Sequence, residues 1–223
     1  MFNSKFNGLL TGLLIVAIIG IVALIGYFGW SVYNKYYLNA EAKNVVDAFE
    51  EAVGNKNEVK NEVGERTEIG GVEGGNSIYQ QGGSSSEKTY GGYKVLGTIS
   101  IPKIKIEYPI LEKATPNSIK IAVAYSTGVG INKVGNTVIQ GHNYRNGLFF
   151  SDLKKLTNGD AIYITDETGT KVKYEVYNTF KALGTDASFY NRDTHGLREV
   201  TLSTCTDAGD DYRVIVLAKE VTG

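Results

Sequence analysis

The chain contains one cysteine and two histidines, and the surroundings of Cys205 and His142 indicate nucleophilic chemistry. Cys205 ends a β-branched run and precedes a polar turn, so its thiol is predicted to lie at an accessible strand exit. His142 follows another such run, and Arg213 stands eight residues after the cysteine. A thiol nucleophile needs a base or a cation nearby to form thiolate, and a guanidinium can stabilise a developing oxyanion. These three residues are therefore candidates for acyl transfer.

Each of these residues also has a structural interpretation. A free cysteine is usually a small buried hydrophobe, and a lone histidine is usually a core or surface residue. Arg213 can instead pair on the surface with Asp210 or Asp211, a contact that would contribute little. His195, the second histidine, lies in a turn-rich stretch and is predicted to be a solvated loop residue. The catalytic hypothesis therefore depends on a fold that brings the three residues together.

The elements that must position this site are short β-branched and aromatic runs separated by turns. The predicted strands are Lys94–Ile101, Lys105–Ile110, Ile119–Val123, Thr137–Gln140, Ala161–Thr165, Lys171–Leu183, Glu199–Ser203 and Tyr212–Lys219. An apolar stripe predicts one helix over Leu148–Leu156. Eight short strands with little helix predict a mainly β fold over residues 93–223, a closed or nearly closed antiparallel barrel.

Residues 1–34 are predicted to form a cytoplasmic tip and a transmembrane helix. No charged residue lies between Phe6 and Asn34, and Leu9–Trp30 is almost wholly apolar over 22 residues, where about 20 are needed to cross a bilayer. A cleaved signal peptide would have a shorter core of about 7–15 residues and a small-residue cleavage site. The run ends instead in aromatic residues typical of a membrane interface. We therefore predict an uncleaved single-pass anchor with its N-terminus in the cytoplasm.

Residues 35–92 are predicted to form a stalk. A short amphipathic helix at about 40–53 carries Val45, Val46, Phe49 and Val53 at helical spacing, and it either packs on the next domain or continues from the anchor. Residues 54–92 are rich in Gly, Ser and Glu, and such a segment cannot bury enough apolar area to offset its ordering entropy. The interpretation is a flexible linker, with a lid as the alternative.

The segment TLSTC at 201–205 resembles the TLxTC signature of sortases, the cysteine transpeptidases of Gram-positive cell surfaces, and Arg213 follows at the place this family expects. Similarities to the family's histidine segment and opening strands are carried by GHN at 141–143, GLFF at 147–150, GTISIP at 97–102 and YPI at 108–110. The resemblance covers roughly residues 95–220. An N-terminal anchor and a stalk also suit the family.

The resemblance implies an eight-stranded sortase barrel at residues 93–223 that acts outside the cell. Cys205 would form a thioester with an LPxTG-like sorting signal after the threonine. His142 would act as general acid and then as general base, and Arg213 would hold the substrate backbone and the oxyanion. Further substrate-binding residues are predicted at Ser203, Thr204 and Asn143. The acceptor amine would come from a cell-wall precursor such as a peptidoglycan precursor, or from another surface protein, with hydrolysis as a side reaction.

An anchoring sortase is the preferred class. Pilin-polymerising sortases often carry an Asp-Pro-aromatic lid, and the chain contains no Asp-Pro. The sequence of the histidine segment is similar to that of the haem-uptake class, but His142 and Cys205 are 63 positions apart, a spacing that does not fit the larger insertion with an extra helix found in that class. The other hypotheses are a pilin-polymerising sortase, a cysteine hydrolase on the same residues, and a non-catalytic surface-binding β domain on a stalk.

No cofactor, metal or nucleic acid is expected. The formal net charge of −1 gives no basic excess for nucleic acid, and one cysteine excludes a zinc site built from several thiolates. Calcium activates some relatives, and Asp207, Asp210 and Asp211 suggest a site, although a solvated turn is the preferred interpretation. Carboxylates close to Cys205 would also favour a neutral resting thiol.

Overall fold

A computed structural model of the protein describes residues 4–59 and 88–222. The chain divides into two compact units, Met1–Ala40 and Glu41–Gly223. Its elements in chain order are α1 (Ser4–Val59), β1 (Thr89–Tyr90), β2 (Tyr93–Ile101), β3 (Ile106–Leu111), β4 (Val123–Gly128), β5 (Gly135–Gln140), β6 (Ala161–Asp166), β7 (Lys171–Leu183), β8 (Arg198–Thr206) and β9 (Gly209–Glu220). Most of the predicted linker or lid over 54–92 lies outside the described residues.

The N-terminal unit contains the first part of α1. Its large apolar side chains from Leu10 to Tyr37 are exposed. Among the described residues, one helical stretch, Leu10–Gly54, is long and apolar enough to cross a membrane. An α-helix rises about 1.5 Å per residue, so about 20 apolar residues cover the hydrocarbon core. This stretch suggests a membrane anchor, in agreement with the sequence.

The second unit is built on a ring of eight strands, which confirms the predicted fold class. The neighbours follow the order β2-β3-β4-β5-β8-β9-β7-β6, and pairing between β2 and β6 closes the ring, with β1 added at β2. Two neighbouring pairs, β3–β4 and β5–β8, are parallel. The prediction of an antiparallel barrel is therefore wrong at these two pairs, and the second of them positions the site described below.

Closure of the ring depends on a glycine in β2. Gly97 pairs with Asp166 of β6, and a Cβ atom at this position would meet the carbonyl oxygen of Thr165 at 2.4 Å. No side chain fits at that separation, so the two strands can approach only at glycine. Fully buried aliphatic residues, including Ile99 and Ile162 on these two strands, form part of the core.

The part of α1 that follows Glu41 packs on the strands. The predicted stripe of Val45, Val46, Phe49 and Val53 is buried, and three of these residues form a cluster with apolar residues of β1–β4. The Thr98 hydroxyl on β2 donates a hydrogen bond to Glu50 Oε1 at 3.1 Å. The amphipathic segment at 40–53 thus belongs to α1, the continuous helix that begins at Ser4, rather than forming a separate helix.

Two predicted elements differ in the structure. Leu148–Leu156 is not an α-helix, because Gly147 and Phe149 have φ values of 84° and 49° and only Leu153–Lys155 forms a short 3₁₀ helix. Its apolar residues are buried in an irregular segment instead. Ile119–Val123 is not a strand, because a 3₁₀ helix occupies Ser118–Lys120 and β4 begins at Val123.

Candidate active site

Parallel pairing of β5 and β8 places the cysteine and the histidine at the same edge of the sheet. Gln140 at the end of β5 is in register with Ser203 of β8. His142 and Cys205 each lie two residues further along the chain. Because β5 and β8 are parallel, both residues lie at the same end of this strand pair. Residues 63 positions apart in the chain are thereby brought together, as the catalytic hypothesis requires.

Antiparallel pairing of β8 and β9 adds the arginine. Arg213 is the register partner of Cys205, and paired residues project from the same face of a sheet. The Arg213 Nη1 atom donates to the main-chain carbonyl of Asp210 at 2.6 Å, and Gly184 lies against its guanidinium, where a Cβ atom would be 3.5 Å from Arg213 Cζ. No ion pair joins Arg213 to a carboxylate in the described part of the chain.

The Cys205 thiol is free, half-buried and held in its neutral form. Burial raises the pKa of Cys205, and a hydrogen bond with the Asp210 carboxylate raises it further, while the charge of Arg213 lowers it. The net direction is upward. The expectation that carboxylates near the cysteine favour a resting thiol agrees with this arrangement, and Asp210 is the residue responsible.

The imidazole of His142 is also shifted toward its neutral form. Burial lowers the pKa of His142, and nearby Lys120 lowers it as well, while the charge of Asp210 raises it. The ring of Tyr144 packs edge-on against the imidazole with 4.3 Å between ring centroids. A neutral imidazole can accept a proton from a thiol as the sulfur attacks, and the charge of Asp210 acts on both groups.

A glycine allows the histidine segment to lie against the barrel. A Cβ atom at Gly141 would be 2.8 Å from two ring atoms of Phe150 and 3.0 Å from Val123, and both of these side chains are fully buried. The Gly141 N–H donates to Ser203 O at 3.2 Å and so extends the β5–β8 pairing by one residue. The position of His142 follows directly from this contact.

The three predicted substrate-binding residues lie beside the cysteine in different environments. The Thr204 hydroxyl is buried and donates to Gly141 O at 2.8 Å. Ser203 is buried, and its hydroxyl has no hydrogen-bond partner among the described residues. Asn143 donates from Nδ2 to Cys205 O at 2.9 Å. Substrate binding by these three residues stays a prediction.

The second histidine lies apart from this site. The side chain of His195 is 85% exposed and pairs with Asp193 at 3.2 Å, so its prediction as a solvated loop residue is confirmed. Sequence reasoning missed the contacts of Tyr144 and Asp207. It expected carboxylates near Cys205 to favour a neutral thiol and named Asp210 as a possible partner of Arg213 or a calcium ligand, but it did not single out Asp210 as the carboxylate that acts on both Cys205 and His142.

The fold and the site together define a β-barrel protein with a cysteine–histidine–arginine centre at one sheet edge. A sequence model described as the Sortase domain matches residues 99–221, more than half of the chain. The chain belongs to the sortase family. It is 31% identical to sortase A of Bacillus anthracis over 131 residues, which cover 58% of this chain and 61% of that protein. The match thus spans less than two thirds of that relative's length.

Solved structures show the same fold. Sortase A from Corynebacterium diphtheriae, a lid mutant, superposes with a TM-score of 0.52 and 28% identity, over 59% of this chain and 72% of that one. The sortase D5 transpeptidase from Clostridium perfringens gives a TM-score of 0.57 at 23% identity, over 82% of this chain and 99% of that one. The second likeness establishes similarity of fold.

Proposed function

We propose that the chain is a membrane-anchored cysteine transpeptidase that cleaves an LPxTG-like sorting signal and transfers the protein to an amine. One observation carries this proposal: the strand pairings gather Cys205, His142 and Arg213 at one edge of a sortase barrel. A nucleophile, a group that can move a proton and a fixed cation are the parts that acyl transfer requires.

The proposed reaction starts from the neutral pair. The Cys205 sulfur attacks the carbonyl carbon of the threonine, whose C–N bond to the next residue is the scissile bond, and the thiol proton moves to His142. Arg213 stabilises the oxyanion of the tetrahedral intermediate. The C–N bond then breaks, the departing amine takes the proton from His142, and a thioester remains on Cys205. The incoming amine attacks this thioester and gives its proton to His142, which returns it to the sulfur as the C–S bond breaks.

The proposal extends to location and acceptor. The N-terminus lies in the cytoplasm and the barrel outside the cell, where the amine of a peptidoglycan precursor is available. An anchoring role is preferred to pilin polymerisation because the chain has no Asp-Pro pair for the lid typical of pilin enzymes. The reaction as written needs no cofactor.

Protease treatment of whole cells tests the topology, since an outward barrel is digested and an inward one is protected.

The activity is tested on the full chain in detergent micelles with a library of LPxTG-like peptides, with and without an amine nucleophile. We expect a thioester adduct on Cys205 by mass spectrometry and products that partition toward the amine. Delivery mainly to water at every amine concentration would instead favour the hydrolase hypothesis.

Variants assign the roles of the residues. Cys205→Ala should abolish turnover, and His142→Ala should lower kcat by about 1,000-fold or more. His195→Ala is the matched control, because this second histidine is exposed and pairs only locally. Turnover by Cys205→Ala at the wild-type rate would refute the mechanism. A wild-type chain that binds sorting peptides without turning over any library member would favour the non-catalytic binding domain.

A further inference from the structure

The side chain of Asn143 connects the histidine segment to the cysteine. One amide hydrogen bond runs from Asn143 Nδ2 to the carbonyl oxygen of Cys205 and another to Asp207 Oδ1, each at 2.9 Å. Asn143 Oδ1 accepts a hydrogen bond from the Arg145 N–H, also at 2.9 Å. Both kinds of polar group in this side chain are therefore engaged, which fixes the orientation of the amide.

Asp207 receives contacts from both ends of the segment that carries the histidine. Its Oδ1 atom accepts the hydrogen bond from Asn143, while its Oδ2 atom pairs with the Lys154 ammonium. Asn143 lies just after His142, and Lys154 lies in the 3₁₀ helix that ends this irregular segment. Since Asp207 is two residues beyond Cys205, the turn after the nucleophile is tied to residues on both sides of the segment.

We propose that Asn143 and Asp207 form a positioning pair that fixes the imidazole of His142 relative to the Cys205 sulfur. His142 lies outside regular secondary structure, and residues such as Arg145 and Phe149 of its segment adopt positive φ values. Side-chain hydrogen bonds therefore hold this segment in place, as main-chain pairing would if β5 continued through His142. Asn143 directly follows His142 and donates to the main-chain carbonyl of Cys205 itself, so this hydrogen bond joins the two catalytic residues through a single side chain.

This inference rests on the proposed function, because it concerns proton transfer between His142 and Cys205. A small displacement of a positioned group strongly slows a step that needs alignment, while it leaves the binding of a remote part of the substrate intact. Loss of the pair should therefore lower kcat and leave KM nearly unchanged. The thiol itself should keep its reactivity toward a small reagent that does not need the histidine.

The test uses the full chain in detergent and compares Asn143→Ala with wild type. We expect kcat to fall about 100-fold while KM stays within about twofold. The rate of Cys205 alkylation by iodoacetamide at fixed pH should stay within about twofold, because burial, Asp210 and Arg213 control this thiol. Asp207→Ala should follow the same pattern with a loss of about tenfold, and Lys154→Met should have a still smaller effect.

Asn158→Ala is the matched control, since Asn158 is exposed in the turn before β6 and should retain wild-type kcat. The positioning role is refuted if Asn143→Ala keeps kcat within about twofold of wild type, or if kcat, alkylation and thermal stability fall together. If the wild type turns over no peptide, the proposed function fails. The pair is then tested by hydrogen exchange over 141–156, and equal exchange in Asn143→Ala and Asn158→Ala refutes it.

Discussion

An arginine lies near each end of strand β8, and the two arginines have different hydrogen-bond partners. At its start, Arg192 from the preceding loop forms an ion pair with Glu199 and donates hydrogen bonds to Thr201 Oγ1 at 2.9 Å and Asn136 Oδ1 at 3.1 Å. At its other end, the Arg213 guanidinium bonds to the main-chain carbonyls of Asp210 and Tyr212. The first arginine is neutralised by a carboxylate, while the second, within the described residues, forms no ion pair.

The difference separates a stabilising arginine from one available to a substrate. Arg192 and Glu199 are both largely buried, and removing one partner of such a pair leaves an uncompensated charge away from water. Arg213 is half-buried beside the thiol, so its charge acts on Cys205 and can act on an oxyanion formed there. The same residue type thus supports folding at one end of the strand and chemistry at the other.

The largest effect on stability should follow from breaking the ion pair at the start of β8. Glu199→Gln is expected to reduce the free energy of unfolding by about 3 kcal/mol, because Arg192 loses its carboxylate. Urea unfolding of the full chain in detergent measures this loss. Glu167→Gln removes one partner of the more exposed Lys94–Glu167 pair and should cost less than about 1 kcal/mol. Equal losses would show that burial does not make the Arg192–Glu199 pair contribute more to stability than the exposed pair.

Arg213→Ala should produce the opposite result. We expect kcat/KM to fall about 100–1,000-fold because the oxyanion loses its charged donor, with little change in the free energy of unfolding. Lys181→Ala is the control. Lys181 is exposed and is the register partner of Val214, which follows Arg213, so this substitution removes a positive charge from a neighbouring position. Peptide turnover reduced equally in both variants would contradict a specific role. Arg213→Lys tests in addition whether a positive charge without the planar guanidinium group is enough to stabilise the oxyanion.

Gly141→Ala should affect both folding and chemistry. The new methyl group would meet the buried ring of Phe150, so we expect a loss of about 1–3 kcal/mol in the free energy of unfolding. His142 follows directly, so kcat should fall as well. Gly54→Ala in α1 has open space and should not destabilise the chain. Unchanged stability and kcat in Gly141→Ala would show that the histidine segment tolerates displacement.

The smallest effect concerns pH. Asp210 raises the pKa of Cys205 through a hydrogen bond and through its charge, so Asp210→Asn should lower that pKa. More thiolate would then be present near neutral pH, and alkylation by iodoacetamide should accelerate with its midpoint at lower pH. Arg213→Ala should move the midpoint to higher pH, because it removes the charge that lowers the pKa. Asp211→Asn is the control, and an upward shift in Asp210→Asn would contradict this account.

Alternating and β-branched runs predicted most strands of the barrel because burial on a sheet face gives a local, repeating pattern. The Leu148–Leu156 segment misled for the same reason. Its apolar residues have helical spacing, but positive φ values at Gly147 and Phe149 interrupt a helix, and tertiary contacts bury them in an irregular chain. The spacing of apolar residues predicts that they are buried, but it does not predict the backbone conformation in which they are buried.

The contacts within the site also differ in whether they join residues close together or far apart in the chain. The relation between Cys205 and Arg213 is local, because the turn at Asp207 and Ala208 joins the two adjacent strands that carry them. The contact between Asn143 and Asp207 joins residues 64 positions apart, and no local pattern announces it. The influence of Asp210 on His142 is equally non-local. Sequence reasoning identified three proposed catalytic residues and expected carboxylates to act on the thiol, but it missed the hydrogen bond between Asn143 and Asp207.

The sequence by itself determined the apolar anchor helix, most of the strands and the cysteine hairpin, because each of these depends on residues close together in the chain. Tertiary structure decided the rest. The parallel pairing of β5 with β8 brings His142 to Cys205, the burial there keeps both groups neutral, and Asn143 bonds the two segments together. Desolvation and alignment arise only when distant segments pack, and for that reason they cannot be read from neighbouring residues.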